Sequence, residues 1–330
     1  MHGIGHFHPE SEISNSFLEE LDIGTNHEWI VERVGIHSRR SVLPLDYIRT
    51  TRNADPREAP GAALYSNPQL ATRAAEMAIR RAGIVKEQIG MVISGSSSAD
   101  SLTPAEACYV ANELGLEVPA LDINSACTTF LAHLSVFSWM DPAKLPEYVL
   151  VVSVESLTKV VDYRDRSTAV LFGDGASAAV LSTRVPAPVQ VIHSDMESSP
   201  AGAAKVRIPH FDYFTQDGRA VQMFAIRRTQ EGYERLREAV TAEGVSERKL
   251  HFVGHQANLR VLEQVCRRCD IPPELHHANV EFFGNTGSVS APSVVSMQWE
   301  KFQPNDDVAL VAVGGGLTWA RSLLRFGSGS

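Results

Sequence analysis

The stretch Asp122-Ile123-Asn124-Ser125-Ala126-Cys127-Thr128-Thr129-Phe130 decides the fold. Residues 119–123 before it read as a short strand, and Leu131, Leu134 and Phe137 after it continue an apolar helical pattern. A cysteine therefore stands where a strand ends and a buried helix begins. Unpaired N–H groups and the positive dipole end at a helix start favour a thiolate there. An isolated cysteine is also a common inert core residue, so the stretch needs support from elsewhere in the chain.

The 330 residues are 44% apolar and 21% charged, the balance of an ordinary globular protein large enough for two similar halves. A formal charge of −9 argues against general affinity for nucleic acid or anionic membranes. No run of about 18 apolar residues and no charged-then-apolar leader is present, so neither a membrane span nor a signal peptide is expected. Four cysteines in a chain of this length do not read as a disulfide framework, which points to a reducing cytoplasm.

Outward from the cysteine, strand and helix patterns alternate. Residues 89–94 and 148–154 read as buried strands, and residues 70–82 and 104–114 as helices, with Pro104 in a first turn. Residues 167–181 read as strand, glycine turn, strand. Upstream, residues 13–21 and 25–36 suggest helices, the latter closed at Gly35. Residues 1–9 look too short for much secondary structure, with His6 and His8 on the surface, and residues 44–60 read as a proline-bearing loop. The second half repeats the pattern, with strands at 189–194, 252–255, 308–313 and 319–326 and helices at 220–242, 259–269 and 291–301. The expected division is 1–185, 186–326 and a flexible glycine-serine tail, 327–330. Alternating elements in both halves imply α/β layers around mixed sheets.

Three segments share one design, an apolar strand followed by a sharp small-residue turn that bears a reactive side chain. They carry Cys127, His255 and Asn285. A histidine ending a strand or an asparagine in Gly-Asn-Thr is individually ordinary. Together the three supply a nucleophile, a proton donor or shuttle, and a neutral hydrogen-bond donor, a set suited to acyl transfer through a thioester. The pair Cys266 and Cys269 has no second pair to complete a zinc site and reads as two positions on a helix face.

The segments His255-Gln256-Ala257-Asn258-Leu259-Arg260, Gly284-Asn285-Thr286, Phe172-Gly173-Asp174-Gly175-Ala176 and Gly314-Gly315-Gly316-Leu317-Thr318-Trp319 resemble β-ketoacyl-acyl-carrier-protein synthase III. So does residues 28–36, with Trp29, Arg33 and Gly35 in place. The motifs run in order along nearly the whole chain. The resemblance implies a thiolase-like fold, a duplicated αβαβα five-layer architecture, and a homodimer. It implies no cofactor beyond the substrates acyl-CoA and malonyl-acyl-carrier protein. Cys127 would take the acyl group, and His255 and Asn285 would hold the malonyl thioester as it loses CO2. Backbone N–H groups of Cys127 and Gly315 would form an oxyanion hole. Trp29, Arg33 and Arg166 would bind the CoA head, Asn258 and Phe172 the channel, Val313 the acyl end, and Arg260 the carrier protein. Thiolases need a second cysteine near the glycine turn, and elongating ketosynthases need a second histidine where Asn285 stands. Plant-type polyketide synthases carry a Gly-Phe-Gly-Pro-Gly segment that is missing here.

Several positions depart from the family pattern. Thr128 and Thr129 follow the cysteine where small residues such as Ala-Gly are usual. Val313 precedes the glycines where a bulky aromatic is common, Gly254 replaces a frequent proline, and Met223 stands where a docking lysine is expected. Thr129 and Val313 suggest a reshaped acyl pocket, accepting a longer or functionalised acyl group in a specialised fatty-acid or polyketide pathway. Two alternatives remain open at this level: an acyltransferase that forms an ester or amide without decarboxylation, and one subunit of a heterodimeric ketosynthase.

Overall fold

The computed structural model describes residues 1–242, 244 and 248–327. Its first sheet contains β1 (Gly3–Phe7), β2 (Ile89–Gly95), β3 (Ala120–Asp122), β4 (Tyr148–Glu155) and β5 (Gly175–Leu181), in the order β1-β5-β4-β2-β3. The second contains β6 (Val189–Ser198), β7 (Leu250–Gly254), β8 (Asp307–Gly314) and β9 (Thr318–Phe326), in the order β7-β8-β9-β6. The two sheets share one plan. β2 pairs with β4 in parallel as β7 does with β8. The antiparallel steps β4–β5–β1 recur as β8–β9–β6. Outside β2 lies the parallel strand β3; at the corresponding place outside β7 there is a single parallel bridge from Phe252 to His276.

Seven helices build the layers: α1 (His27–Val34), α2 (Asn67–Ala82), α3 (Glu106–Leu114), α4 (Thr129–Trp139), α5 (Gly218–Ala242), α6 (Leu259–Cys269) and α7 (Ser290–Gln298). α2 and α3 cover the outer face of the first sheet, and α5, backed by α6, covers the second. α4 and α7 touch both sheets and form the middle layer. A helix enclosed on both sides has no face to give to water, which is why α4 is buried from Thr129 to Ser135 and α7 from Ser290 to Ser296. β4 and β8 are buried along their whole length, as strands covered on both faces must be. The order of layers is αβαβα.

The N-terminal residues are a strand, paired antiparallel with β5, and their glycines let a helix pack closely on it. A Cβ on Gly3 would come within 2.4 Å of the Ala78 carbonyl oxygen, and one on Gly5 within 2.1 Å of the Ala74 carbonyl oxygen. Bare backbone at these two positions lets the alanine face of α2 lie directly on β1. α2 itself starts in a capping box, with Ser66 Oγ accepting from Gln69 N and Gln69 Oε1 from Ser66 N. This corrects the expectation of an irregular start with surface histidines. Both rings are half-buried; His6 Nδ1 meets Ser296 Oγ at 2.7 Å, and His8 Nδ1–H donates to the Asp174 carbonyl at 3.0 Å.

Other expectations shift as well. Residues 44–60 include two short helices, Leu45–Thr51 and Ala59–Ala62. α3 starts at Glu106, beyond Pro104, because the Asp122 carboxylate accepts from Glu106 N and Ala107 N at 2.6 and 2.9 Å. Before β5 stands a short helix, Arg166–Ala169, capped by the Asp165 side chain, where a strand had been expected. All four cysteines are free thiols. Among the described residues, no helix is long and apolar enough to cross a membrane. Residues 328–330 of the expected flexible tail lie outside the described residues.

Candidate active site

Cys127 sits on a tight elbow between β3 and α4. Ala126 before it takes a left-handed φ of 49°, an uncommon conformation for a residue with a side chain. Short polar side chains hold that shape. Asn124 Oδ1 accepts from Ala126 N at 3.0 Å, and Thr129 Oγ1 accepts from Ser125 N at 2.9 Å while donating to the Ala126 carbonyl at 2.7 Å. Thr128 Oγ1 donates to the Ser125 carbonyl at 2.6 Å. Both threonines are fully buried within the elbow, and a Cβ on Gly95 would lie 2.5 Å from Thr129 Cγ2. Thr129 is therefore a clasp of the elbow and not a wall of an acyl pocket, contrary to the sequence expectation.

The glycine turn between β8 and β9 is pressed against this elbow. A Cβ on Gly314 would be 2.9 Å from Cys127 N and 3.2 Å from Cys127 Cβ, so only glycine allows the approach. Gly315 and Cys127 line the same cavity, about 230 Å³ in volume, with Leu157, Phe172, Val206 and Phe214 among its apolar walls. Phe172 and Phe214 meet edge to face at 4.5 Å. Val313, two residues before Gly315, lies within β8 and outside this lining. A larger cleft of about 690 Å³, beside residues 181–194, contains none of Cys127, His255 and Asn285.

The Cys127 thiol is pushed up to about 12, first by burial and then by the Glu155 carboxylate. The positive end of α4 acts in the opposite direction but does not leave a resting thiolate. Glu155 ends β4 fully buried, accepting from Ser97 N and Ser98 Oγ at 3.0 Å each and from Ser288 Oγ at 2.7 Å. Burial raises this carboxyl to about 6 despite those bonds. The sequence offered no sign of it, since it closes a strand that is otherwise apolar apart from Ser153.

His255 follows β7, its N–H bonded to the Val311 carbonyl of β8 at 2.9 Å. Burial lowers its pKa to about 4, so the ring is neutral near pH 7. Nδ1 lies 2.7 Å from Ser290 Oγ, an oxygen that already accepts from Gln256 N at 3.2 Å. The Ser290 hydroxyl hydrogen is free to point at Nδ1, and in that arrangement the ring proton is on Nε2. Asn285 is oriented in the same sense. Its Oδ1 accepts from Gly287 N at 2.9 Å, which leaves the Nδ2 amide as the group able to donate to a substrate. Its backbone is clamped to residues 171–173, through Asn285 N to the Leu171 carbonyl at 2.8 Å and Gly173 N to the Asn285 carbonyl at 3.1 Å. Phe172 and Gly287, on either side of this clamp, line the Cys127 cavity.

Beneath the Asn285 turn lies Arg39, fully buried although it belongs to the basic segment His37 to Arg40. It donates to Asn15 Oδ1 at 2.6 Å and to the Val170 carbonyl, and burial lowers it to about 9. The Asp174 carboxylate of the Phe-Gly-Asp-Gly motif accepts from Val42 N, Thr158 N and the Thr158 hydroxyl, a structural tie. At the surface, Arg166 and Arg33 stack on Trp29 at 5.1 and 5.5 Å. Asn258 caps α6, accepting from Arg260 N at 2.8 Å. Arg260 spans the end of α1, donating to the Val31 carbonyl at 2.8 Å, and pairs with Glu263 at 2.9 Å. These residues fix α1, and with it Trp29, against α6.

A cysteine elbow and a facing glycine turn in five αβαβα layers, with the neutral His255 directly after a strand of the second half, are the framework of a thiolase-fold acyltransferase. Residues 121–200 match the family model of 3-oxoacyl-acyl-carrier-protein (ACP) synthase III, and residues 241–326 that of its C-terminal part. The chain is 32% identical to β-ketoacyl-acyl-carrier-protein synthase III of Coxiella burnetii, over 98% of both chains. It superimposes on 3-oxoacyl-acyl-carrier-protein synthase III from Aquifex aeolicus with a TM-score of 0.84, at 29% identity and 98% coverage of each chain. The priming β-ketosynthase of a polyketide biosynthetic pathway gives a TM-score of 0.80 at 25% identity, covering 99% of this chain and 96% of that one. The chain belongs to the β-ketoacyl-acyl-carrier-protein synthase III family.

Proposed function

We propose that this chain joins an acyl group from acyl-CoA to malonyl-acyl-carrier protein by decarboxylative condensation. The Cys127 sulfur attacks the acyl thioester, and the thiol proton ends on the departing CoA sulfur. N–H groups of Cys127 and Gly315 face the oxyanion that forms, in a site where a donor of this kind is worth about 2.7–4 kcal/mol. Malonyl thioester then loses CO2, and Nε2–H of His255 and Nδ2–H of Asn285 stabilise the enolate oxygen. Attack on the acyl thioester releases the β-ketoacyl product and leaves a Cys127 thiolate, which takes a proton from solvent to return to the thiol favoured by its raised pKa.

The observation that carries this reading is the orientation of the two donors. Burial keeps the His255 ring neutral, with Ser290 Oγ at Nδ1 leaving Nε2 for the substrate, and Asn285 Oδ1 is taken by Gly287 N, which leaves its Nδ2 amide to donate. The apolar cavity walls and the aromatic–arginine stack at Trp29 support a CoA thioester as donor. Four free thiols support a reducing cytoplasm. A homodimer is supported by the outer edge of β3, which has no partner strand among the described residues, beside the exposed Tyr109 of α3.

Intact-protein mass spectrometry with acetyl-, butyryl- and octanoyl-CoA tests the first half, and CO2 release from malonyl-CoA by the acylated enzyme tests the second. An acyl adduct on Cys127 followed by CO2 release is expected. An adduct that passes to an alcohol or amine without CO2 would replace condensation by simple acyl transfer.

A further inference from the structure

Thr128 stands directly after the nucleophile, yet its side chain turns away from the cavity. Its Oγ1 reaches across to β9, 3.0 Å from Thr318 Oγ1, a contact between residues 190 positions apart. Thr318 Oγ1 in turn donates to the Gly315 carbonyl at 3.0 Å. Counting hydrogens, Thr128 gives its proton to the Ser125 carbonyl, the shorter contact at 2.6 Å, and Thr318 shares its proton between Gly315 O and Thr128 Oγ1. The two hydroxyls are thus a bridge from the elbow that carries Cys127 to the peptide that carries Gly315. Thr128 is fully buried and Thr318 half-buried, so the contact is shielded from water on the elbow side.

We infer that the Thr128–Thr318 hydroxyl bridge is a positioning device that sets the spacing of the two oxyanion donors, Cys127 N–H and Gly315 N–H. The inference rests on the acylation step proposed above. Each donor belongs to a different half of the molecule, and each sits on a turn whose backbone conformation is unusual, Ala126 at φ 49° on one side and Gly316 at φ 132° on the other. Gly314 fixes how closely the two backbones approach. Contact alone leaves them free to slide, and a hydrogen bond from β9 to the elbow removes that freedom. Sub-ångström placement of such donors is where catalytic rate is gained or lost. Neither threonine lines the Cys127 cavity, so their effect is expected on rate and not on binding.

The test compares Thr128→Val, which keeps the branched shape and removes the hydroxyl, with Thr128→Ser, which keeps the hydroxyl. Acylation of Cys127 by acetyl-, butyryl- and octanoyl-CoA is followed in the full chain by rapid quench and mass spectrometry. Thr128→Val is expected to lower the acylation rate constant about 10-fold with KM within two-fold of wild type, and Thr128→Ser to restore most of it. Thr318→Val should give a similar loss, and the double variant no more than either alone, because both act through one bridge. Wild-type acylation rates in Thr128→Val, or losses that multiply in the double variant, would overturn the inference. Should Thr128→Val fail to fold, an unimpaired Thr318→Val does the same. A wild-type chain that none of the three thioesters labels would instead sink the acylation reading itself.

Discussion

The elbow at Cys127 and the turn at Asn285 occupy equivalent places in a duplicated plan. Each follows the outermost strand position of its sheet and each leads into a central helix, α4 in one half and α7 in the other. What differs is the support. The elbow is held by its own neighbours, Asn124, Thr128 and Thr129, and by a glycine turn from the other half. The Asn285 turn is clamped to backbone of the first half at residues 171–173, over the buried Arg39. Each half therefore completes the reactive turn of the other. In the proposed reaction one copy of the plan holds the electrophile and the other generates the nucleophile.

Breaking either turn should give a distinct phenotype. Cys127→Ala should abolish the acyl adduct in intact-protein mass spectra and lower turnover by roughly 10⁶-fold. Asn285→Ala should cost about 10²–10³-fold in CO2 release from malonyl-CoA while Cys127 still acylates within a few-fold of wild type, which separates the two half-reactions. Gly314→Ala places a methyl 2.9 Å from Cys127 N; about 1–3 kcal/mol of stability should be lost by calorimetry, and acylation should slow by about 10²-fold if the elbow moves near 1 Å. The pH dependence sharpens the same contrast. Burial disfavours the His255 cation, so its neutral form persists as pH falls through the ordinary histidine range, and CO2 release should begin to decline only near its lowered pKa of about 4. The smallest effect is expected at the rim. Arg166→Ala removes a cation stacked on Trp29, worth about 0.5–1 kcal/mol, and should raise KM for acyl-CoA about two- to five-fold with kcat unchanged.

The reactive side chains were legible because each sits at a strand end before a run of small residues, a pattern confined to a few neighbouring positions. Gly35 as a helix stop was legible for the same local reason, and it takes a left-handed φ of 71°. The supports were not. Arg39 is one charge in a basic segment until Asn15 and the Val170 carbonyl, distant in sequence, are brought around it. Glu155 and Ser290 look like ends of ordinary elements, and their partners lie on other segments. Residues 167–171 carry β-branched side chains in part, yet the Asp165 cap turns 166–169 into a helical turn, a local hydrogen bond overriding strand preference. Thr129 pointed to an altered pocket only because its identity was visible and its direction was not.

The high pKa of Cys127 has a consequence for the life of the protein under oxidative stress. Peroxides and alkylating reagents attack the thiolate, and a thiol held near 12 presents almost none of it at neutral pH. The same burial and carboxylate that restrain the nucleophile before a thioester arrives also shield it from sulfenic acid formation. Cys108, exposed on α3, is more accessible than the partly buried Cys127, so peptide mass spectrometry of an oxidant-treated sample is expected to find Cys108 modified ahead of Cys127.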